Sequence, residues 1–226
     1  MRVVVAGGHG AIGLRLLRLL AEAGHEPVGL VRNPDHVGDL TAAGARPVVL
    51  DLESAALDRV VEELSGADVA VFAAGAGPGS GAARKLTVDR DAAVLLADAA
   101  VAAGTRRYLL VSSMGAVEPE PGHDLQVPED PSDDDVFALY LQAKGAADAA
   151  VAARDLHWVI LRPGRLSNDP ATGRVQLAPT VERGSISRDD VAAVLLALTR
   201  APVTGRIVEL VAGDVPIDEA VAALTR

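Results

Sequence analysis

Short runs of consecutive apolar residues alternate with longer segments whose apolar residues recur every three or four positions, almost without a break along the 226-residue chain. The first run, Val3, Val4 and Val5, reads as a buried strand, and Leu14, Leu16, Leu17, Leu19 and Leu20 form the apolar face of a helix that Gly24 closes. The same alternation predicts strands at 27–31, 47–50, 68–72, 107–111, 157–161 and 206–211. It predicts helices at about 35–43, 55–64, 87–103, from near 135, at 188–199 and from about 216. Gly104 ends the long fourth helix, and Ser187 is placed to cap the helix at 188, with Asp190 in its acidic first turn. Strand and helix in strict turn imply an α/β fold of one domain spanning 1–226. It is a doubly wound parallel sheet of about seven strands in the order 3-2-1-4-5-6-7, with right-handed crossovers and ligands over its carboxyl edge.

Two stretches break the rhythm. Residues 118–135 are rich in Pro, Asp and Glu and have no period. This is too long for an ordinary connection, so it is either a substrate-side flap or a disordered loop. Residues 166–187 supply part of a substrate wall, with a candidate short strand at 175–177. Loops 114–135 and 165–187 are thus expected on the substrate side of the same domain.

The chemistry concentrates at strand ends. Gly7, Gly8, Gly10 and Gly13 lie between the first strand and its helix, together with His9, Ala11 and Ile12. Strand, glycine turn and helix bring a backbone close to a phosphate, because the missing Cβ atoms allow approach and the helix start offers unpaired N–H groups. The spacing Gly7-x-x-Gly10-x-x-Gly13 differs by one residue from the commonest dinucleotide fingerprint; the plain alternative is a turn that only packs helix on sheet. Arg32-Asn33 follows the second strand, where an acidic residue would select NAD and an arginine selects NADP. Otherwise Arg32 is a solvated loop cation. Asp51-Leu52 follows the third strand, as a helix cap, an adenine contact or both. After the fourth, Ala73, Ala74 and Gly75 are small enough to let a cofactor pass, or are plain turn residues. Ser112 and Ser113 follow the fifth strand and direct hydroxyls into the crevice.

Tyr140 and Lys144 stand at i and i+4 on one helix face. A lysine beside a phenol favours the phenolate, which suits a proton donor to a carbonyl that receives hydride. The alternative is a core-edge tyrosine with a snorkelling lysine, and Lys144 can also hold a cofactor ribose. Pro163-Gly164, after the sixth strand, reads as a rigid turn.

Composition narrows the partners. The formal net charge is −10, which excludes nucleic acid or an anionic membrane as the main partner, so an anionic cofactor needs a local positive site. With 2% aromatic residues, Val, Leu, Ile and Ala must fill the core. Cysteine is absent, which removes disulfides and thiol catalysis. His9, His25, His36, His123 and His157 have no metal-ligand spacing, so no metal is expected. Ser80 lacks the hydrolase elbow because Pro78 stands where a glycine is needed. No signal-like segment precedes the first strand and no apolar run reaches membrane-spanning length, so a cytoplasmic protein is expected.

The order GGHGAIG, Val-Arg after strand two, Asp-Leu after strand three, FAAGAG after strand four, VSSMGA after strand five, then Y-x-x-x-K and HWVILRPGRL, resembles the short-chain dehydrogenase/reductase superfamily. More narrowly it is similar to the atypical NAD(P)H-binding branch, which includes flavin and biliverdin reductases, quinone or azo-dye reductases and cofactor-sensing regulators. The resemblance runs from Arg2 to the C-terminus. It implies a Rossmann fold, with Tyr140 as proton donor, Lys144 lowering its pKa and contacting the nicotinamide ribose, and Ser112 or Ser113 orienting the carbonyl. It also implies that the backbone of Pro163 and Gly164 lies along the nicotinamide amide. About 27 residues separate Ser113 from Tyr140, which fits the superfamily's extended arrangement better than the compact one. The expected function is an oxidoreductase that prefers NADP(H) over NAD(H) and reduces a small carbonyl, quinone or flavin-like acceptor, as a monomer or weak homodimer. The alternative is a non-catalytic NADP(H) sensor; a nucleotide-sugar epimerase or dehydratase fits the spacing but leaves little chain for a sugar nucleotide.

Overall fold

Successive residues of a strand point to opposite faces, so a run such as Val3-Val4-Val5 must be covered on both sides. In the computed structural model this happens throughout. Val3, Val5, Val69, Val71, Leu109 and Val159 face one apolar layer, while Val4, Ala70, Phe72, Leu110 and Ile160 face the other. The structure describes residues 1–77, 79–120 and 124–225. Pro78 of the Ser80 motif, His123 and residues 121–122 of the acidic stretch lie outside the described residues, as does Arg226.

In chain order the elements are β1 (Arg2–Ala6), α1 (Gly13–Glu22), β2 (Glu26–Val31), a 3₁₀ turn (Pro34–His36), α2 (Val37–Ala42), β3 (Arg46–Val49), α3 (Leu57–Leu64) and β4 (Val69–Phe72). A helix then begins at residue 83, is π-wound over Lys85–Ala92 and continues as α4 (Ala93–Ala103). There follow β5 (Arg107–Val111), α5 (Asp133–Ala152), β6 (His157–Pro163), β7 (Arg165–Ser167), β8 (Arg174–Ala178), β9 (Ser185–Ser187), α6 (Arg188–Arg200), β10 (Arg206–Ala212), β11 (Val215–Pro216) and α7 (Ile217–Ala223). One face of the sheet carries residues of α1, α2 and α6, and the other those of α3, α4 and α5.

The sheet order is β3-β2-β1-β4-β5-β6-β10-β8-β11. Its first seven strands are parallel and in the expected order. The expectation of about seven parallel strands is corrected at the edge, where β8 runs antiparallel to both β10 and β11 and makes the sheet mixed and nine-stranded. Val175 and Leu177 are buried and Gln176 is exposed, so β8 is a short alternating strand that extends the candidate at 175–177 by one residue at each end. A separate parallel pair, β7 and β9, occupies the rest of 165–187.

Three local expectations change. Asp51 does not cap α3, whose N-cap is Ala56; its carboxylate accepts the Glu53 N–H at 3.0 Å and closes a turn instead. The helix expected near 135 starts two residues earlier, because Ser132 and Asp135 form a capping box. Pro163-Gly164 makes no turn, since β6 runs to Pro163 and β7 begins at Arg165. Ser187 caps α6 as expected, accepting the Asp190 N–H at 2.9 Å. Among the described residues no helix is long and apolar enough to cross a membrane.

Candidate functional site

The chain winds outward from β1 to β3 and returns to β4 on the other side of β1, so the carboxyl ends of β1 and β4 flank the switch-point crevice. The glycine loop fills its base. Gly7 has φ +80°, and a Cβ there would lie 2.6 Å from Ala74 Cα; a Cβ on Gly13 would lie 2.2 Å from Gly7 O. These two glycines thus let the loop fold on itself and against the end of β4. Gly10 N–H donates to Gly7 O and Leu14 N–H to Gly10 O. No side chain caps α1, and among the described residues the N–H groups of Ala11, Ile12 and Gly13 have no partner. Such a helix start is built to meet an anion.

Two cavities, of about 290 and 590 Å³, share Gly10, Ala73, Ala74 and Gly75 and so meet over the loop. Gly7, His9, Arg32, Asp51, Leu52, Glu53 and Arg84 line the smaller one. There Arg32 Nη1 lies 3.2 Å and Arg84 Nη2 2.6 Å from Glu53 Oε2, while the Thr87 hydroxyl donates to Oε1 at 2.7 Å. The bond from Arg84 holds the Glu53 carboxyl below its ordinary range, and Glu53 raises the Arg84 guanidinium in return. His9 stacks on His36 with ring centroids 3.6 Å apart and sits 2.7 Å from Asp39.

The larger cavity holds Ala11, Ile12, Lys85, Asp89, Val111, Ser112, Phe137, Tyr140, Lys144, Leu166 and Arg188. Tyr140 is half-buried and its hydroxyl makes no hydrogen bond among the described residues. The chain's two lysines flank its ring, each Nζ 5.9 Å from the centroid. Neither bonds the phenol. Lys144 donates to Val111 O at 3.1 Å and lies 3.2 Å from Asp89 Oδ1, an ion pair off hydrogen-bond alignment and buried on both sides. Lys85 donates to Gly77 O at 2.7 Å and to Ser80 Oγ at 3.2 Å. The other tyrosine, Tyr108, is a core residue; its hydroxyl donates to Ala93 O, and burial pushes its phenol up.

Ser112 reaches the cavity but turns its proton away, to Asp148 Oδ2 at 2.9 Å, an oxygen that also accepts from Arg162 Nε at 2.9 Å and lies 2.8 Å from Arg162 Nη2. Burial pushes the Asp148 carboxyl up, and the bonds from Ser112 and Arg162 offset part of that rise. Five expected residues lie off both cavity walls. Ser113 is turned to Met114 O, Asn33 caps the 3₁₀ turn by accepting the Asp35 N–H, and Pro163 and Gly164 are held in extended backbone between β6 and β7. Gly13 lies under the loop, off the walls, while Gly7, His9, Gly10, Ala11, Ile12, Arg32, Asp51, Leu52, Ala73, Ala74, Gly75, Ser112, Tyr140 and Lys144 are on them. Sequence reasoning missed Glu53, Arg84, Lys85, Asp89, Phe137 and Asp148. A signal existed for the last, since Tyr140, Lys144 and Asp148 repeat every four residues on α5.

A family model described as NAD(P)H-binding matches residues 7–202. YhfK of Bacillus subtilis, named an uncharacterized sugar epimerase, is 36% identical over 226 residues, covering 99% of this chain and 100% of its own. Ceramide reductase of Caulobacter vibrioides is 34% identical over 225 residues, covering 92% of this chain and 63% of the reductase. Among solved structures, a Bacillus halodurans protein with a provisional NAD-dependent epimerase/dehydratase designation superposes with a TM-score of 0.86 at 36% identity, over 99% of this chain and 100% of that one. With the glycine loop at the switch point and the match across most of its length, the chain belongs to the NAD(P)H-binding family of atypical short-chain dehydrogenases/reductases.

Proposed function

We propose that the protein is an oxidoreductase that prefers NADP(H) and reduces a small, largely apolar acceptor such as a carbonyl compound, a quinone or a flavin-like ring. The observation that carries this reading is Tyr140, whose uncommitted hydroxyl stands on a cavity of about 590 Å³ walled by Ile12, Val111, Phe137 and Leu166 and continuous with the crevice. The residues present fit a dinucleotide. The unpartnered N–H groups at the start of α1 suit a pyrophosphate, and Ala73, Ala74 and Gly75 leave room beside them. Arg32 and Arg84 supply local positive charge at the far end, as a ribose phosphate requires in a protein of net charge −10.

When bound, the reduced dinucleotide supplies the hydride. The chain's own groups handle the proton and the fit. Tyr140 gives its phenolic proton to the acceptor oxygen, with the ammonium groups of Lys85 and Lys144 each 5.9 Å from its ring centroid. Ser112 has its proton on Asp148, so it offers the cavity lone pairs and not a donor. Of the two hydroxyls on the cavity, Tyr140 therefore carries the proton transfer.

The reading is tested by following loss of reduced nicotinamide absorbance with a panel of carbonyl compounds, quinones, flavins and azo dyes. Tyr140→Phe is expected to lower carbonyl turnover by roughly 10²- to 10⁴-fold while NADPH affinity is kept. Unchanged carbonyl turnover would remove Tyr140 from the chemistry. Tight NADPH binding with no turnover on any member of the panel would replace the enzyme with a binding module.

A further inference from the structure

Donors from two separate elements converge on one carboxylate at the outer end of the smaller cavity. Arg32 follows β2, Arg84 and Thr87 lie on the helix after β4, and Glu53 stands in the turn after β3. Arg84 grips Glu53 through Nε at 3.3 Å and Nη2 at 2.6 Å, Arg32 adds Nη1 at 3.2 Å, and the Thr87 hydroxyl adds 2.7 Å. Two guanidinium groups and a hydroxyl are the donor set that a phosphate monoester requires. Arg32 also stands at the end of the second strand, where a doubly wound sheet places the ribose of a bound dinucleotide. Glu53 is therefore a carboxylate seated in a site suited to a phosphate. Its backbone is tied down, with its N–H on Asp51 Oδ1, while its side chain is only 23% exposed and lies on the cavity wall itself.

We propose that Glu53 is a built-in occupant of the 2′-phosphate site: NADPH binds by displacing its carboxylate from Arg32, Arg84 and Thr87, and NADH binds with the carboxylate left in place. The inference rests on the NADP(H) reading above and goes beyond it, because it makes Glu53 and Arg84, neither of them in the glycine loop, the residues that set how far NADPH is preferred. A phosphate must replace two ion pairs that already exist, so the two arginines discriminate less than they would alone. For NADH the same carboxylate is available to accept a ribose 2′-hydroxyl.

Glu53→Gln keeps the shape and removes the charge. Fluorescence titration of the full chain with NADPH and with NADH is expected to show NADPH binding about five- to tenfold tighter in the variant, with NADH unchanged or weaker. Arg84→Ala is expected to weaken NADPH at least fivefold and to spare NADH. Equal shifts for both nucleotides in Glu53→Gln, or weaker NADPH binding, would overturn the inference. Glu53→Ala reads the same ratio if the glutamine variant melts early. Arg32→Ala separates the two readings. If it weakens NADPH selectively while Glu53→Gln leaves the ratio of the two affinities alone, the inference fails and NADP(H) preference stands. If Arg32→Ala weakens both nucleotides equally, the NADP(H) reading itself has failed.

Discussion

Lys144 is the residue whose replacement is easiest to misread. Its ammonium and the Asp89 carboxylate are 3.2 Å apart with side-chain exposures of 4% and 1%. At an effective dielectric near 20 the attraction across that gap is about 5 kcal/mol, most of it offset by the cost of taking both charges out of water. Removing one partner leaves that cost without the attraction. Lys144→Met strips Asp89 of its cation and leaves it one hydrogen bond, from Ala76 N–H at 3.2 Å, so the variant is expected to lose about 3 kcal/mol of stability. In urea this lowers the unfolding midpoint by about 1 M with little change in slope. Lys144→Met with Asp89→Asn removes both charges and keeps an acceptor for Ala76. It is expected to return to within about 1 kcal/mol of the parent, a rescue of about 2 kcal/mol relative to Lys144→Met. Activity is then measured on the stable double variant. Lost turnover in that protein assigns Lys144 to the chemistry, whereas lost turnover in the single variant reports a damaged site. A single-variant cost under about 1 kcal/mol, or effects that simply add, would refute the argument.

Gly13→Ala places a Cβ 2.2 Å from Gly7 O, so the loop must open. It is expected to cost about 2 kcal/mol and to weaken both nicotinamide nucleotides more than tenfold, and parental affinity in a titration would show that the loop is not the phosphate site. Asp148 sets a pH dependence. Its folded carboxyl lies above the ordinary value of 3.8 because burial outweighs the bonds from Ser112 and Arg162. The native state therefore keeps a proton that the unfolded chain loses, and this contribution to stability is complete below 3.8 and disappears as pH rises through the folded value. The stability difference between the parent and Asp148→Asn is expected to shrink over that interval; urea unfolding at a series of acid pH values checks it, and parallel curves would contradict it.

The layers were legible because buried parallel strands are continuous apolar runs, and because right-handed crossovers leave few ways to order them. The phosphate loop was legible for a related reason, since strand, glycines and helix follow one another directly, and their geometry depends on neighbours in the chain. Where a residue's surroundings come from distant segments, spacing misleads. Pro163 and Gly164 have turn chemistry, yet pairing with β5 and β10 carries β6 extended up to them. Gly145 has no signal of its own, yet a Cβ there would lie 2.0 Å from Val117 O, so it is the notch through which the segment after β5 crosses α5.

The charges of the larger cavity show the same division most clearly. Lys85 and Asp89 are four residues apart, as are Lys144 and Asp148, and on isolated helices each would read as a surface pair of small value. The packing of Lys85–Ala92 against α5 buries the Asp89 carboxylate at a helix contact, Asp148 is buried beside Ser112 and Arg162, and the partners change. Asp89 takes Lys144 from the facing helix, Asp148 takes Arg162 from β6, and Lys85 is left to loop oxygens beside the Tyr140 ring. Local spacing placed Tyr140 and Lys144 on one face, but the ammonium beside the phenol that carries no carboxylate partner among the described residues is the one on the other helix. Charge balance around the phenol is thus a property of the sheet order, which brings residues 85 and 144 together across 58 positions of chain, and not of the Tyr-x-x-x-Lys spacing by itself.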